Sequence, residues 1–474
     1  MKNTFVIGFS EECSFPETIE KLSKDGIINI SEWVTTNKRG TIDLFDFYHG
    51  KTFATHKITH HIPSDLYEKI SQFLFEFCYI NSRSSISHTH INKVHSDIHS
   101  DVQEFNKFIY LIYDIFISKK IELVLFQEIP HDGAEIALYR LAKIMGIKTI
   151  IIANFTHFWG RIFAFYSLED FGQFTEIPDL SGDADAVSVD YDDFKKKMYY
   201  MKHVANHNAK LAVLRRVISK IRKRYLAKLI FSPLISQKKF NKTEFALAAA
   251  IIQRQKTLEY EKNYQEITEE RVDLTKKYVY FALHLDPEIP TTPALAGIYS
   301  DQLIAVERLR NILPNDIAIY VKENPKQTDI LRSDGFFDRL KKIKNLKAVN
   351  QNTYELINNS CFVATIAGTV GWEAITAEKN VIVFGKAWYQ TFPGAFKFSE
   401  NLDLNEVMNH KIERSELQKA VKKILHKSGI GMVYFPFSNP NFKTDIKEIY
   451  PNYDRQKNIN DLALSIKKLI EYQA

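Results

Sequence analysis

Apolar runs separated by segments of helical period recur along this chain, and they predict parallel strands alternating with helices. In the second half the run Phe362 to Ile366 breaks at Ala367-Gly368-Thr369-Val370-Gly371 and passes into a helix carrying Trp372, Glu373 and Ala374. Lys379-Asn380 closes that helix, and Val381 to Gly385 reads as the next buried strand. Upstream, Lys277 to Leu283 and Ile317 to Val321 are expected strands, with helices from near Ser300 to Asn311 and from Tyr354 to Asn358. A further helix and strand are expected between the Asn324-Pro325 turn and Val349.

The first half repeats the theme with Phe5 to Phe9, Ile121 to Phe126 and Lys148 to Ala153 as strands, and residues 102–118 and Glu135 to Met145 as helices. Residues 160–200 are acidic and irregular and read as an insertion or loop. Helical patterns return at Lys210 to Ile230, Thr243 to Glu270 and Ile459 to Tyr472. Strand-helix alternation of this kind predicts an α/β chain with two Rossmann-like, doubly wound domains facing a cleft. The expected boundaries are 1–235 with a helical insertion, a connector at 236–274, a second domain at 275–450, and a final helix within 451–474 that packs back on the body.

With 474 residues the chain exceeds what one hydrophobic core usually supports, in keeping with two domains. Its 45% hydrophobic content is dispersed, with no run of about 18 apolar residues, so no membrane span is expected. Phe5 to Phe9 is too short for a signal segment. Cys13, Cys78 and Cys361 are far apart and odd in number, which argues for a reducing, cytoplasmic setting. A formal net charge of +6 leans toward anionic partners such as nucleotides, phosphates or a lipid surface, and no motif speaks for nucleic acid.

Three loops at strand carboxyl ends carry the candidate chemistry. At the glycine turn, unbonded N–H groups of the helix start and its positive end favour a phosphate, with Thr365 and Thr369 as hydroxyl donors and Glu373 placed to accept from ribose. The alternative is an ordinary strand-helix turn, since it matches neither the P-loop nor the dinucleotide fingerprint. In Tyr320 to Lys326, lysines such as Lys322 stand where they meet a leaving phosphate. In Gln127 to Gly133, Asp132 is either a carboxylate facing the cleft or a helix N-cap.

The stretches Tyr280 to His284, Thr291 to Gln302, Tyr320 to Pro325 and Thr365 to Ala374 resemble the bacterial capsule polysaccharide synthesis family. That resemblance, which extends to related sialyl- and polysialyltransferases, implies a GT-B glycosyltransferase using CMP-activated keto-deoxy sugars such as Kdo or a nonulosonic acid. It implies a nucleotide-sugar site in the second half and an acceptor site in the first. Asp132 before Gly133 matches the family's catalytic carboxylate, with His131 in place of a second acid. Asn324-Pro325 matches a His-Pro pair on the donor phosphate, with the histidine replaced, so Lys322 or the helix start must do more. Thr365, Gly368 and Thr369 match the nucleotide-holding turn, and His284, Glu128, Trp388 and Tyr389 are candidate contacts to donor or acceptor sugar.

The implied partners are a CMP-sugar and a glycan or lipid-linked acceptor, with no cofactor and no metal. His56 and His60 have a helical i, i+4 spacing, but no carboxylate or cysteine in the sequence pattern completes a ligand set, and Asp183-Ala184-Asp185 lies in the acidic loop. The basic segment Lys210 to Ile230 reads as a peripheral contact with the inner face of a membrane or as a solvated helix face. Two other readings stay open: a UDP-sugar transferase or epimerase, and a non-catalytic glycan-binding or assembly protein of the same fold.

Overall fold

The computed structural model describes residues 1–8, 14–35, 39–43, 46–47, 51–87, 98–154, 158, 160–181, 260, 262–286, 288–324, 327, 332, 335–433 and 453–473. Pro325, Lys210 to Ile230 and most of the acidic stretch lie outside them. The strands are β1 (Lys2–Ile7), β2 (Ile28–Thr35), β3 (Ile42–Asp43), β4 (Leu123–Phe126), β5 (Lys148–Asn154), β6 (Arg161–Phe165), β7 (Thr268–Glu269), β8 (Tyr278–Ala282), β9 (Ala318–Lys322), β10 (Leu346–Val349), β11 (Val363–Thr365), β12 (Val381–Val383), β13 (Ala395–Lys397) and β14 (Gly429–Ile430). They form two seven-stranded sheets.

The first sheet runs β14-β6-β5-β4-β1-β2-β3, parallel from β5 to β3, with β6 and β14 antiparallel at one edge. The second runs β13-β12-β11-β8-β9-β10-β7 and is parallel throughout. In both, chain order reverses beside the first long strand, between β1 and β4 and between β8 and β11. Such reversals leave a crevice at the strands' carboxyl ends, the usual ligand position in doubly wound sheets.

Alternation within the second sheet fixes how it is covered. Tyr278 and Tyr280 of β8 face the core that also holds the first sheet, while Val279 and Phe281 face a separate outer core. The shared core includes Phe158 of the loop after β5, whose ring meets Trp372 and Trp388 of the second half at 6.3 and 5.8 Å. Polar contacts reinforce the junction, with Lys386 Nζ donating to the Leu168 carbonyl and Gln390 Nε2 to that of Phe171. Gly172 is needed here: its φ is +83°, and a side chain on it would strike the Ala387 carbonyl.

After the second sheet the chain returns to the first. Residues 429–433 place β14 beside β6, and the backbone at Val433 bonds both Asn154 and Gln127, at the ends of β5 and β4. The helix Arg455–Tyr472 then packs against the helix Phe15–Lys24, its start capped by Asp454. No helix among the described residues is long and apolar enough to cross a membrane. Cys78 and Cys361 are free thiols. His56 and His60 meet a carboxylate supplied from far along the chain: Asp114, on the helix Ile98–Ser118, accepts from both rings at 2.7 and 2.9 Å.

Candidate functional site

The glycine turn is braced by a histidine from the neighbouring strand. β8 lies beside β11, so His284, just past β8, reaches the turn, and its Nε2 accepts the backbone N–H of Ala367 at 3.2 Å. That N–H can only donate, so Nε2 carries no proton, the ring is neutral, and its proton sits on Nδ1. The Thr365 hydroxyl, 3.0 Å from Nε2, therefore donates to it and accepts from the Gly368 N–H at 3.3 Å. Burial, with the Arg332 guanidinium in support, pushes the His284 pKa down to about 3 and keeps the ring neutral. Gln302 pins the His284 backbone from both sides, and Arg332 Nη2 donates to its carbonyl at 2.9 Å.

Both glycines of the turn are close-approach positions. A Cβ on Gly368 would lie 2.4 Å from His284 Cε1 and 3.2 Å from its Nδ1, so the absent side chain leaves the protonated edge of the ring facing the space at the helix start. A Cβ on Gly371 would collide with the Tyr389 hydroxyl, which donates to the Gly368 carbonyl. The helix Thr369–Thr376 begins here with Gly368 at its N-cap and Thr369 exposed. Thr365 is fully buried, and its hydroxyl is spent on the turn. It braces the turn from within, whereas the sequence pattern reads it as a contact to phosphate.

Lys322 ends β9, and its ammonium donates to the Gln351 carbonyl and the Thr353 hydroxyl at 2.8 and 3.0 Å. One of its three donors remains, and burial lowers its pKa. Asn324 donates its backbone N–H to Glu323, which is paired with the buried Arg332, so this loop is tied into the body. Burial raises the pKa of Tyr280, Tyr354 and Tyr389, and the nearby Glu373 carboxylate adds to each rise. Trp388 and Tyr389 are buried among Trp372, Phe158 and Phe392 and do not wall an open sugar subsite, because the halves meet there.

In the first half, the loop after β4 gathers Glu128, His131, Asp132 and Glu135. Asp132 is the N-cap of the helix Gly133–Ile144 and forms a capping box with Glu135, whose carboxylate accepts from the N–H groups of His131 and Asp132. His131 Nδ1 donates to the Ile129 carbonyl at 2.9 Å and lies 3.7 Å from Glu128 and 3.6 Å from Glu135. Burial opposes its charge, yet Glu128, Glu135 and Asp132 together raise its pKa to about 10. Glu128 is raised to about 8, by burial first and then by the neighbouring carboxylates, against the pull of His131. Glu135 was not visible as a site residue in the sequence; its spacing from Asp132 was the available signal. Among the described residues no group of three or more His, Cys, Asp or Glu side chains is arranged to hold a metal ion.

Residues 195–428 match the family model described as capsule polysaccharide biosynthesis protein. No curated protein matches the chain. Among solved structures the chain is similar to Thermosulfurimonas dismutans KpsC, beta Kdo 2,7 transferase, at 13% identity and a TM-score of 0.29, over 66% of this chain and 78% of that one. It is similar to the S. aureus MnaA-UDP co-structure at 12% identity and a TM-score of 0.23, over 89% and 91%. A third similarity is to Methanocaldococcus jannaschii UDP-GlcNAc 2-epimerase in complex with UDP-GlcNAc and UDP, at 14% and 0.25, over 90% and 93%. The family match bears out the resemblance read from Tyr280 to Ala374, and the two parallel-dominated sheets bear out the expected fold class.

Proposed function

We propose that the protein is a glycosyltransferase of bacterial surface polysaccharide assembly, moving a keto-deoxy sugar, Kdo or a nonulosonic acid, from a CMP-sugar to a glycan or lipid-linked acceptor. The observation that carries this reading is the geometry of the second switch point, where helix-start N–H groups and the His284 Nδ1–H edge, opened by the side-chain-free Gly368, would seat an anion. When the bond from the anomeric carbon breaks, its electron pair passes to the leaving phosphate. Fixed donors aimed at that oxygen stabilise the transition state more than the ground state. In this reading Lys322 would add positive charge for the phosphate, and Glu373 would accept from the ribose hydroxyls. The acidic loop after β4 would receive the acceptor, since Phe158, on the same edge of the first sheet, packs against the helix that starts at the glycine turn. The basic segment Lys210 to Ile230 would bring lipid-linked acceptors within reach at an anionic membrane.

Thermal stabilisation by CMP, CDP, UMP and UDP in parallel tests this, because a ligand bound only by the folded state raises its melting temperature. Selective stabilisation by CMP, followed by turnover of CMP-Kdo or a CMP-nonulosonate, is the expected result. Preference for UDP would move the assignment to a UDP-sugar transferase or epimerase. Silence toward every nucleotide would leave a non-catalytic glycan-binding or assembly protein.

A further inference from the structure

We propose that Glu128 is the residue that takes the proton of the acceptor hydroxyl, an assignment that rests on the transferase reading above. Three carboxylates surround His131, and two are already committed. Asp132 and Glu135 hold each other's backbone in the capping box, where their charge also suits the positive helix start. Glu128 has no such duty. It is the second residue after β4, at the switch point of the first sheet, and its Oε1 is buried without a hydrogen-bond partner. Its side chain as a whole retains 11% exposure.

The groups that face Glu128 are His131, Asp132 and Glu135. With one imidazolium among three carboxyls, the two in the capping box accept backbone N–H bonds. Glu128 lacks those bonds and is the one that holds a proton in the resting protein, with a pKa of about 8. A base performs best when its pKa lies near the working pH, and its carboxylate form is then present as an accessible minority. In the transfer step the acceptor oxygen bonds to the anomeric carbon and its proton passes to the Glu128 carboxylate. The bond from that carbon to its leaving oxygen breaks, with the electron pair going to the phosphate.

The test compares wild type, Glu128→Gln and Glu128→Asp in two measurements. In the first, turnover of CMP-Kdo by Glu128→Gln should fall about 10²- to 10⁴-fold with the CMP-induced Tm shift retained, and Glu128→Asp should recover part of the loss. Wild-type kcat/KM should rise with pH toward about 8, a limb absent from the Gln variant. The second measurement needs no activity. A proton held by the folded state is lost by the unfolded state above about 4.5, so wild type loses stability relative to Glu128→Gln as pH rises from about 4.5 to 8. A Tm gap that widens over this range supports the assignment; a constant gap overturns it. Wild-type kcat in Glu128→Gln would overturn this assignment alone, leaving the transferase reading in place. Absence of turnover by wild type with CMP- and UDP-activated donors would overturn both.

Discussion

In the second half, the switch point is made of backbone and one neutral ring: His284 and Thr365 hold the N–H groups of Ala367 and Gly368, and the helix start and the Nδ1–H edge are left toward the open space. In the first half, the corresponding loop is made of charge, with three carboxyls and an imidazolium within a few residues and one carboxyl oxygen left unbonded. The same topology thus positions two different instruments. One is rigid and neutral, suited to receiving an anion without reorganising. The other is crowded and poised, suited to exchanging a proton. Burial acts on both, yet it lowers the pKa of His284, which has a cation behind it, while carboxylates override it at His131.

The comparison breaks most severely at Gly368. Gly368→Val would drive side-chain atoms into His284, where even a Cβ lies 2.4 Å from Cε1. Displacing the ring and the helix start together should abolish CMP-induced stabilisation and cut turnover by about 10²-fold or more. Wild-type CMP binding in that variant would remove the glycine turn as the anion seat. A milder break is His284→Gln. The glutamine carbonyl can still accept from Ala367, so the turn survives, but the donor to the ligand is lost. CMP affinity should fall about 10-fold by titration calorimetry, the cost of one hydrogen bond to a charged group. An unchanged Kd would mean that the Nδ1 edge does not touch the nucleotide.

How much of this was legible in sequence depends on which contacts decide it. β4, β5, β8 and β12 are short, almost fully buried runs, and such strands announce themselves as unbroken apolar letters. β2 does not, because Asn29, Ser31 and Glu32 interrupt it, and buried Glu32 is tolerated through partners that lie outside the strand, Lys119 at 2.6 Å and the Thr41 hydroxyl. β6 and β14 pair antiparallel across more than 260 residues of chain, an arrangement that local pattern does not carry. The glycine turn was visible as a motif, whereas its brace was not: His284 is 81 residues away and meets Thr365 only because β8 and β11 are neighbours. Asp132 was readable both as an N-cap and as a catalytic carboxylate. The structure shows the cap, which leaves Glu128 as the carboxyl of that loop outside the capping box.

The two regions should also separate along the pH axis. His284 stays neutral down to about 3, whereas an unfolded histidine takes up a proton below about 6.5. Stability is therefore lost as pH falls below about 6.5, by up to about 1.4 kcal/mol per pH unit, and His284→Gln should flatten this acid limb. His131 is raised to about 10, so its contribution is complete below about 6.5 and is lost as pH rises through 10. Denaturant midpoints measured from pH 5 to 10 would show each limb answering to its own variant. An acid limb unchanged in His284→Gln would sink the neutral-ring assignment.

The smallest expected effect tests the division of labour among the carboxylates. Asp132→Ala removes one side of the capping box at the start of Gly133–Ile144, which should cost about 1 kcal/mol of stability. Asp132→Asn keeps a capping oxygen and should recover most of it. Because Asp132 is also one of the charges that raise His131, both variants should bring the alkaline limb to lower pH, even where Asn restores the cap. Capping and charge are thereby read separately: the midpoint near neutral pH reports the cap, and the position of the alkaline limb reports the field on His131. A variant pair with wild-type midpoints would show that Asp132 does not hold the helix start, and the reason for regarding Glu128 as the uncommitted carboxyl would go with it.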